Sequence, residues 1–405
     1  MAEEFDVIVI GGGPSGSSAS IFLSRAGRRV LLLDRAKFPR EKVCGDGISG
    51  SSVGILKELG LLGGVKGIEH ADMYGVTFSS PNGTLVHIPA KRDDGIPPGF
   101  VCRREVFDNL LFQSAKSICA KTIEGFVAED FVREGDTVCG VRGALDGKPM
   151  EFSARVVVCA DGAAGMTARK LGLNNASDSH QFAGIRAYYD GVEGMADRIE
   201  IHFVREALPG YFWIFPLPGK RANVGLCMLV SDMKKKKANL QAILKGILAG
   251  NPLFKTRFQN SKRTTDIRSW LLPVNTRKPK AAGSGYVLVG DSASLIDPFM
   301  GEGIGNALTS GKLAARAIIQ AFKESDFSEK SLSRYDAELN RAISRQVDLN
   351  YKLQRMASSA FLTDFVIGRA KKSRYVQAAI TDSLLNAEEY SRITDPLFPI
   401  KALFM

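Results

Sequence analysis

The sequence predicts an α/β fold. A βαβ unit opens a mostly parallel sheet, an antiparallel sheet is inserted into it, and a helical C-terminal region follows. Three observations carry this expectation. Phe5–Ile10 is an apolar, β-branched run closing on glycine, the pattern of a strand buried on both faces. Pro14–Ala26 then has helical spacing with a glycine stop at Gly27, and Arg29–Leu33 is a second apolar strand ending on Asp34. Strand, helix and strand in so short a stretch form a βαβ unit. Finally, from Gln181 to Val230 the chain alternates and turns repeatedly, as an antiparallel sheet does.

The remaining elements follow in order. Met73–Phe78 and Leu85–Ile88 flank the Pro81-Asn82-Gly83 turn and predict a hairpin. Arg104–Ala120 reads as a helix, and Phe126–Val132, Thr137–Gly143 and Phe152–Cys159 read as strands. Within the alternating region the strands are Ile185–Tyr189, Ile199–Val204, Tyr211–Pro216 and Asn223–Val230. Tyr286–Gly290 returns as a buried strand, and Gly303–Lys323 is a helix. From Ser331 the chain is mostly helical, basic and polar, and it finishes in the apolar tail Pro396–Met405. This order predicts a discontinuous nucleotide-binding domain from residues 1–70, 101–175 and 280–325. Residues 71–100 and 176–279 form the inserted substrate-binding β domain, and 326–405 the helical region.

At 405 residues, 45% hydrophobic and 24% charged, the chain can bury its cores without staples. No apolar run approaches the length of a membrane span. The start is acidic where a signal peptide would be basic, so it reads as mature protein. Six cysteines without CxxC or CxH spacing argue against a zinc site or a disulfide framework and fit a reducing cytosol. No metal is expected. The net charge of +11 comes without a recognisable nucleic-acid module, so no nucleic-acid partner is expected. The densest basic run, Lys234–Lys237, reads as a solvated loop. Basic residues near an anionic membrane contribute about 1 kcal/mol each. A cytoplasmic protein with peripheral contact at the inner face of the cell membrane is the expectation, the Pro396–Met405 tail being compatible with docking.

Two motifs carry the cofactor. Gly11-Gly12-Gly13-Pro14-Ser15-Gly16 is a G-x-G-x-x-G between strand and helix. Gly11 permits the tight turn, Gly13 lets a pyrophosphate approach the backbone, and Gly16 lets helix and strand pack closely. Pro14 and Ser15 open the helix whose N-terminus meets the negative charge. Asp34 ends the second strand, where its carboxylate can accept from ribose hydroxyls, and Arg35 beside it is a further cofactor-binding candidate. The second motif is Val289-Gly290-Asp291-Ser292-Ala293, then Asp297-Pro298, then Gly301-Glu302-Gly303-Ile304. Asp291 is placed to accept from a polyol chain. The backbone N–H groups of Gly301–Ile304 can face an anionic ring edge. Two such junctions far apart in one chain point to FAD rather than NAD.

At these residues the chain resembles a known group. Gly11–Gly16 with Asp34, Asp161-Gly162 followed by Arg169, and Gly290-Asp291 with Pro298 resemble the three fingerprints of p-hydroxybenzoate-hydroxylase-fold flavoproteins. Arg104, in Arg-Glu-Val-Phe-Asp, matches that group's arginine near the flavin phosphates. The resemblance implies a Rossmann-type FAD-binding domain. Pro39-Arg40-Glu41-Lys42-Val43-Cys44-Gly45-Asp46-Gly47 and Tyr211-Phe212-Trp213-Ile214-Phe215-Pro216 are similar to P-x-x-K-x-C-G-x-G and Y-x-W-x-F-P segments of the geranylgeranyl reductase family. That resemblance implies saturation of isoprenoid C=C bonds by reduced FAD. The substrate would be a long geranylgeranyl-bearing isoprenoid, the electron donor NAD(P)H or a ferredoxin-type protein. Gly165 stands where the family usually has serine, a departure expected to weaken that loop's polar contacts slightly.

Residue chemistry suits that reaction. Tyr211, Trp213 and Phe215 alternate along one strand and face one side together, as an aromatic wall for a polyprenyl chain or as plain sheet core. An isolated trisubstituted alkene accepts a proton more easily than a hydride. Protonation to a tertiary cation followed by hydride transfer from reduced flavin is therefore the expected order. Each aromatic face would stabilise such a cation by about 0.5–2 kcal/mol. Cys44 and Gly45 lie in a glycine-flanked loop that can approach the flavin, with the Cys44 thiol as proton donor or small packing group. His202 is expected to be structural. The alternative functions are an FAD-dependent monooxygenase and a flavin-dependent halogenase, whose W-x-W-x-I-P resembles Y-x-W-x-F-P.

Overall fold

An apolar strand needs cover on both faces, and Val7, Ile8 and Val9 are completely buried. In the structure, a computed structural model that describes residues 4–173, 177–275 and 280–385, strand β1 (Glu4–Ile10) lies mid-sheet. It runs parallel to β2 (Val30–Asp34) on one side and to Lys148–Cys159 on the other. Lys121–Glu124 and Tyr286–Leu288 extend the parallel array at either end. A hairpin, Phe126–Glu134 and Thr137–Leu145, joins Lys148–Cys159 antiparallel, and the short strand Ala282–Gly283, antiparallel to Tyr286–Leu288, completes the eight-stranded sheet.

Helix α1 (Pro14–Arg25) packs against the long helix Ile304–Glu324 at close range. Small residues allow this: a Cβ on Gly311 would overlap the Ser15 carbonyl oxygen, and Ser18 Oγ donates to the Leu308 carbonyl at 2.9 Å. The two nucleotide-type segments, far apart in sequence, thus share one interface.

The second sheet has the order Lys262–Arg263, Gln181–Asp190, Arg221–Leu229, Tyr211–Leu217, Ile199–His202, Gly75–Ser79, Leu85–Pro89. Arg268–Pro273 also pairs with Gln181–Asp190. The pairings are antiparallel with one exception: Ile199–His202 runs parallel to Gly75–Ser79. These two strands meet through a long crossover rather than a turn, so no hairpin imposes their direction.

Two local expectations need correction. The hairpin begins at Gly75, because Ala71–Met73 belongs to a small three-stranded sheet with Gly47–Ile48 and Gly99–Val101. The lysine run is not a loop: Lys234–Lys236 form the last turn of the helix Val230–Lys236, and Lys237 caps it at φ 50°. Cations are favoured at that helix end. There Lys234 pairs with Asp178 at 2.6 Å and Lys236 donates to the Leu208 carbonyl at 2.6 Å. The chain is helical beyond 331 over Arg334–Met356, Ala360–Lys372 and Arg374–Leu385. The Pro396–Met405 tail lies outside the described residues. Among these no helix is long and apolar enough to cross a membrane.

Candidate active site

The first strand's end sets the site. Gly11 sits at φ +107°, and a Cβ there would overlap the Ala160 carbonyl. Gly16 packs so tightly that a Cβ would overlap the Gly11 carbonyl oxygen. Gly13 differs: its nearest protein atom would be Arg40 Nη2 at 3.6 Å, leaving the backbone open to a cavity of about 850 Å³. That is the approach a pyrophosphate requires. The cavity starts at the carboxyl ends of the parallel strands, touching Ile10, Leu33 and Ala160. Asp34 is buried there and accepts from the Gly12 N–H at 2.7 Å and the Ala36 N–H at 2.7 Å. It clasps the glycine loop as well as facing the cavity, with Arg35 beside it.

Arg104 is buried and forked onto Asp108, Nε at 2.6 Å and Nη2 at 2.8 Å, while Arg40 reaches the same carboxylate at 2.8 Å. Burial opposes both charges. The two guanidinium groups nevertheless hold Asp108 below the usual carboxylate range, and Asp108 holds Arg104 above its own ordinary value. Two arginines on one carboxylate leave net positive charge at the cavity wall, suited to phosphate.

The Asp161 carboxylate accepts from the Thr167 hydroxyl and its N–H, and from Ser292 Oγ at 3.0 Å. Ser292 Oγ in turn accepts from the Gly162 N–H at 2.8 Å, stitching two fingerprints together. Gly165 is not a weakness in this loop. A Cβ there would overlap the Asp161 carboxyl, so the missing side chain is what lets Asp161 reach Thr167. Asp291, Gly301, Gly303 and Ile304 line the cavity, with Gly303 capping the helix that Ile304 begins. Gly16, Gly290 and Pro298 do not face it. Gly16 and Gly290 pack against neighbouring backbone and Ser15 instead, and so shape the loops from behind.

The second sheet forms the opposite wall. Its register puts Tyr188 opposite Asn223, Arg186 opposite Gly225 and Gly184 opposite Cys227, with Phe215, Trp213 and Tyr211 one strand further. Directly opposed residues share a face. Tyr211, Trp213 and Phe215 therefore line the cavity together, with centroids 6.1 and 6.3 Å apart along the row. Each ring is fixed. Tyr211 donates to the Met300 carbonyl at 2.8 Å, Trp213 to Asn223 Oδ1 at 3.0 Å, and Phe215 rests on Gly45 and Gly47. A Cβ on Gly225 would overlap the indole, so this glycine seats Trp213 across the strand.

The Cys44–Gly47 loop meets this wall. Cys44 is half-buried in the cavity lining, beside Arg104 and Lys42. Asn223 Nδ2 donates to the Cys44 carbonyl at 2.7 Å and to Asp46 Oδ2 at 2.8 Å, and Tyr188 donates to the same oxygen at 2.6 Å. Asp46 is completely buried, at φ 68°, and its Oδ1 has no partner. Burial raises its pKa against the pull of Tyr188 and Asn223. Lys42 lies over the Trp270 ring at 4.0 Å, and burial lowers its pKa. Sequence reasoning passed over Asn223, Lys42 and Asp46 as site groups. The available signal was polarity out of place: Asn223 interrupts the apolar strand Arg221–Leu229, and Asp46 sits between the glycines of a motif. His202 is structural as expected, bound to Ser79 Oγ at 2.9 Å and Glu200 Oε2 at 3.0 Å.

From the aromatic row the cavity continues as an apolar sleeve between Val76, Phe78 and Phe203 on the sheet side and Leu353, Ile367 and Ile380 on the helical side. It is polar where the glycine loops converge and apolar beyond.

Comparison with known proteins accords with this arrangement. A family described as FAD binding domain matches residues 4–350. The digeranylgeranylglycerophospholipid reductase of Methanocella arvoryzae is 31% identical over 361 residues, covering 88% of either chain. A geranylgeranyl bacteriochlorophyll reductase-like protein from Thermoplasma acidophilum superposes with a TM-score of 0.86 at 23% identity, over 98% of this chain and 99% of that one. A flavin-dependent brominase gives 0.82 at 22% identity, over 99% and 98%, so it shares the fold. Open backbone at Gly13, cationic Arg104 and a cavity joining three fingerprints fit the flavin dinucleotide. This chain belongs to the geranylgeranyl reductase family of FAD-dependent oxidoreductases, and its cofactor is FAD.

Proposed function

We propose that the protein saturates C=C bonds in a geranylgeranyl-type isoprenoid chain of a lipid. The observation that carries this reading is the sleeve. A flavin site that needed only a small polar substrate would have no use for a continuous apolar extension lined by two sheet strands and three helices. The Gly11–Gly16 loop with Asp34 and Arg35, Arg104, Asp161-Gly162, and Asp291 with Gly301–Ile304 hold the cofactor. Reduced FAD supplies the hydride.

The chain's own residues do the rest. Tyr211, Trp213 and Phe215 present a fixed aromatic wall that excludes water and stabilises positive charge on the alkene by about 0.5–2 kcal/mol per face. Their hydroxyl and indole N–H are already committed to Met300 and Asn223, so the wall acts through its ring faces. Cys44, the thiol lining the cavity beside Arg104, is the proton donor to the double bond. The donor of electrons is NAD(P)H or a ferredoxin-type protein, and the protein works in the cytoplasm with peripheral contact to the membrane. Residues 1–70, 101–175 and 280–325 act as the FAD domain, 71–100 and 176–279 as the substrate domain, and 326–405 as the C-terminal region, whose described helices close the sleeve.

The test is anaerobic. The purified flavoprotein is reduced with dithionite, geranylgeranyl substrates are added, and flavin reoxidation is followed with mass spectrometry of the product. Reoxidation with a gain of two hydrogens per bond supports the reading. A flavin that stays reduced until oxygen enters overturns it in favour of a monooxygenase or halogenase.

A further inference from the structure

The helix Ala360–Lys372 has two apolar faces where a surface helix needs one. Thr363, Val366 and Ile367 line the sleeve. On the other side Phe361, Leu362 and Phe365 are 76%, 40% and 45% exposed. Phe361 and Phe365, four residues apart, stack along one side of the helix. Phe361 is the most exposed large apolar residue described, and no other five-residue stretch among the described residues holds three such residues.

Charge accompanies the patch. Between Lys352 and Arg374 there are six Lys and Arg and one acid, Asp364. Asp364 is turned to the protein, accepting from the Asn82 N–H at 2.8 Å. Lys371, Lys372 and Arg374 are exposed at the end of the helix and the start of the next. Aromatic and aliphatic side chains flanked by lysine and arginine suit the boundary between acyl chains and anionic headgroups. A second copy of the chain would bring the same cations face to face in a twofold pair, which opposes self-association.

We infer that the outer face of Ala360–Lys372 seats the protein on an anionic lipid bilayer, Phe361, Leu362 and Phe365 entering the headgroup boundary. The inner face of the same helix is sleeve wall, so a chain leaving the bilayer passes around one helix to reach the aromatic row. This rests on the isoprenoid reading of the sleeve and adds its partner surface and direction of entry.

The test floats the full-length flavoprotein with phosphatidylglycerol or phosphatidylcholine vesicles, comparing wild type with F361S/F365S and K371E/K372E. Wild type is expected to float with phosphatidylglycerol, and each double variant to lose about tenfold in partitioning. Bound FAD and turnover of a short detergent-solubilised isoprenoid are expected to be unchanged, while turnover of vesicle-embedded substrate falls in parallel with partitioning. Variants that float like wild type overturn the inference. So does F361S/F365S converting a dimer to a monomer without loss of vesicle binding, which would assign the face to a second copy. If wild type turns over no isoprenoid yet floats as expected, the reductase reading fails while the bilayer surface stands.

Discussion

Asn223 holds Trp213 and Cys44 with opposite ends of one amide: its Oδ1 accepts from the indole N–H at 3.0 Å and its Nδ2 donates to the Cys44 carbonyl at 2.7 Å. The same Nδ2 reaches buried Asp46. Replacing Asn223 by Leu removes the partner of an indole N–H and of a carbonyl in the interior, at roughly 1–3 kcal/mol for each group left unpaired, and leaves Asp46 Oδ2 with Tyr188 alone. Asn223→Leu is expected to lower the unfolding midpoint and cut turnover more than tenfold at similar FAD content, read by denaturant titration and steady-state assay.

Gly13 separates folding from cofactor binding. A Cβ there would stay 3.6 Å from its nearest protein neighbour, so the apoprotein tolerates Ala. Gly13→Ala is expected to match wild-type apoprotein in thermal midpoint yet bind FAD about tenfold or more weakly, because the methyl enters the pyrophosphate's approach. Equal FAD affinity by flavin-fluorescence titration would contradict the assignment.

Gly165→Ser restores the residue usual in the family, and here it is expected to destabilise. Its Cβ would occupy the space of the Asp161 carboxyl and push it off Thr167 and Ser292. A loss of about 1–3 kcal/mol in unfolding free energy is expected.

Asp297 makes stability depend on pH. It is buried, accepts from Asn350 Nδ2 at 2.6 Å and from the Met300 and Phe299 N–H groups, and burial raises its pKa to about 6. A folded pKa above the unfolded value means that its favourable contribution is complete below about pH 4 and is lost as pH rises through 6. Wild type should therefore lose about 2 kcal/mol relative to Asp297→Asn between pH 4 and pH 7. Asp336, also raised to about 6 by burial, is present in both proteins and cancels in the difference.

Cys44→Ala tests the proton donor. Turnover should fall by about 10²-fold or more, the range of general acid catalysis, with dithionite reduction of the bound flavin unchanged. Full turnover would return Cys44 to a packing role.

Where the controlling contacts are local, the residues could be read directly. Gly11 and Gly16 are required by clashes within a few residues and with one neighbouring strand end, so they declare themselves. The shared face of Tyr211, Trp213 and Phe215 follows from the two-residue period of a strand. The parallel pairing of Ile199–His202 with Gly75–Ser79 carries no such mark, because two short apolar strands pair in either direction until a crossover decides.

The glycine loop after the first strand and the aromatic row are legible in the chain alone, because backbone geometry and strand periodicity set them. Folding in three dimensions brings Asn223 to Cys44 and Trp213, lays Lys42 on Trp270, makes Gly165 the space for Asp161 and sets the Ala360–Lys372 helix over the sleeve. Such contacts depend on sheet register and helix docking, where a shift of one residue would exchange every partner, and no short stretch of chain encodes that choice.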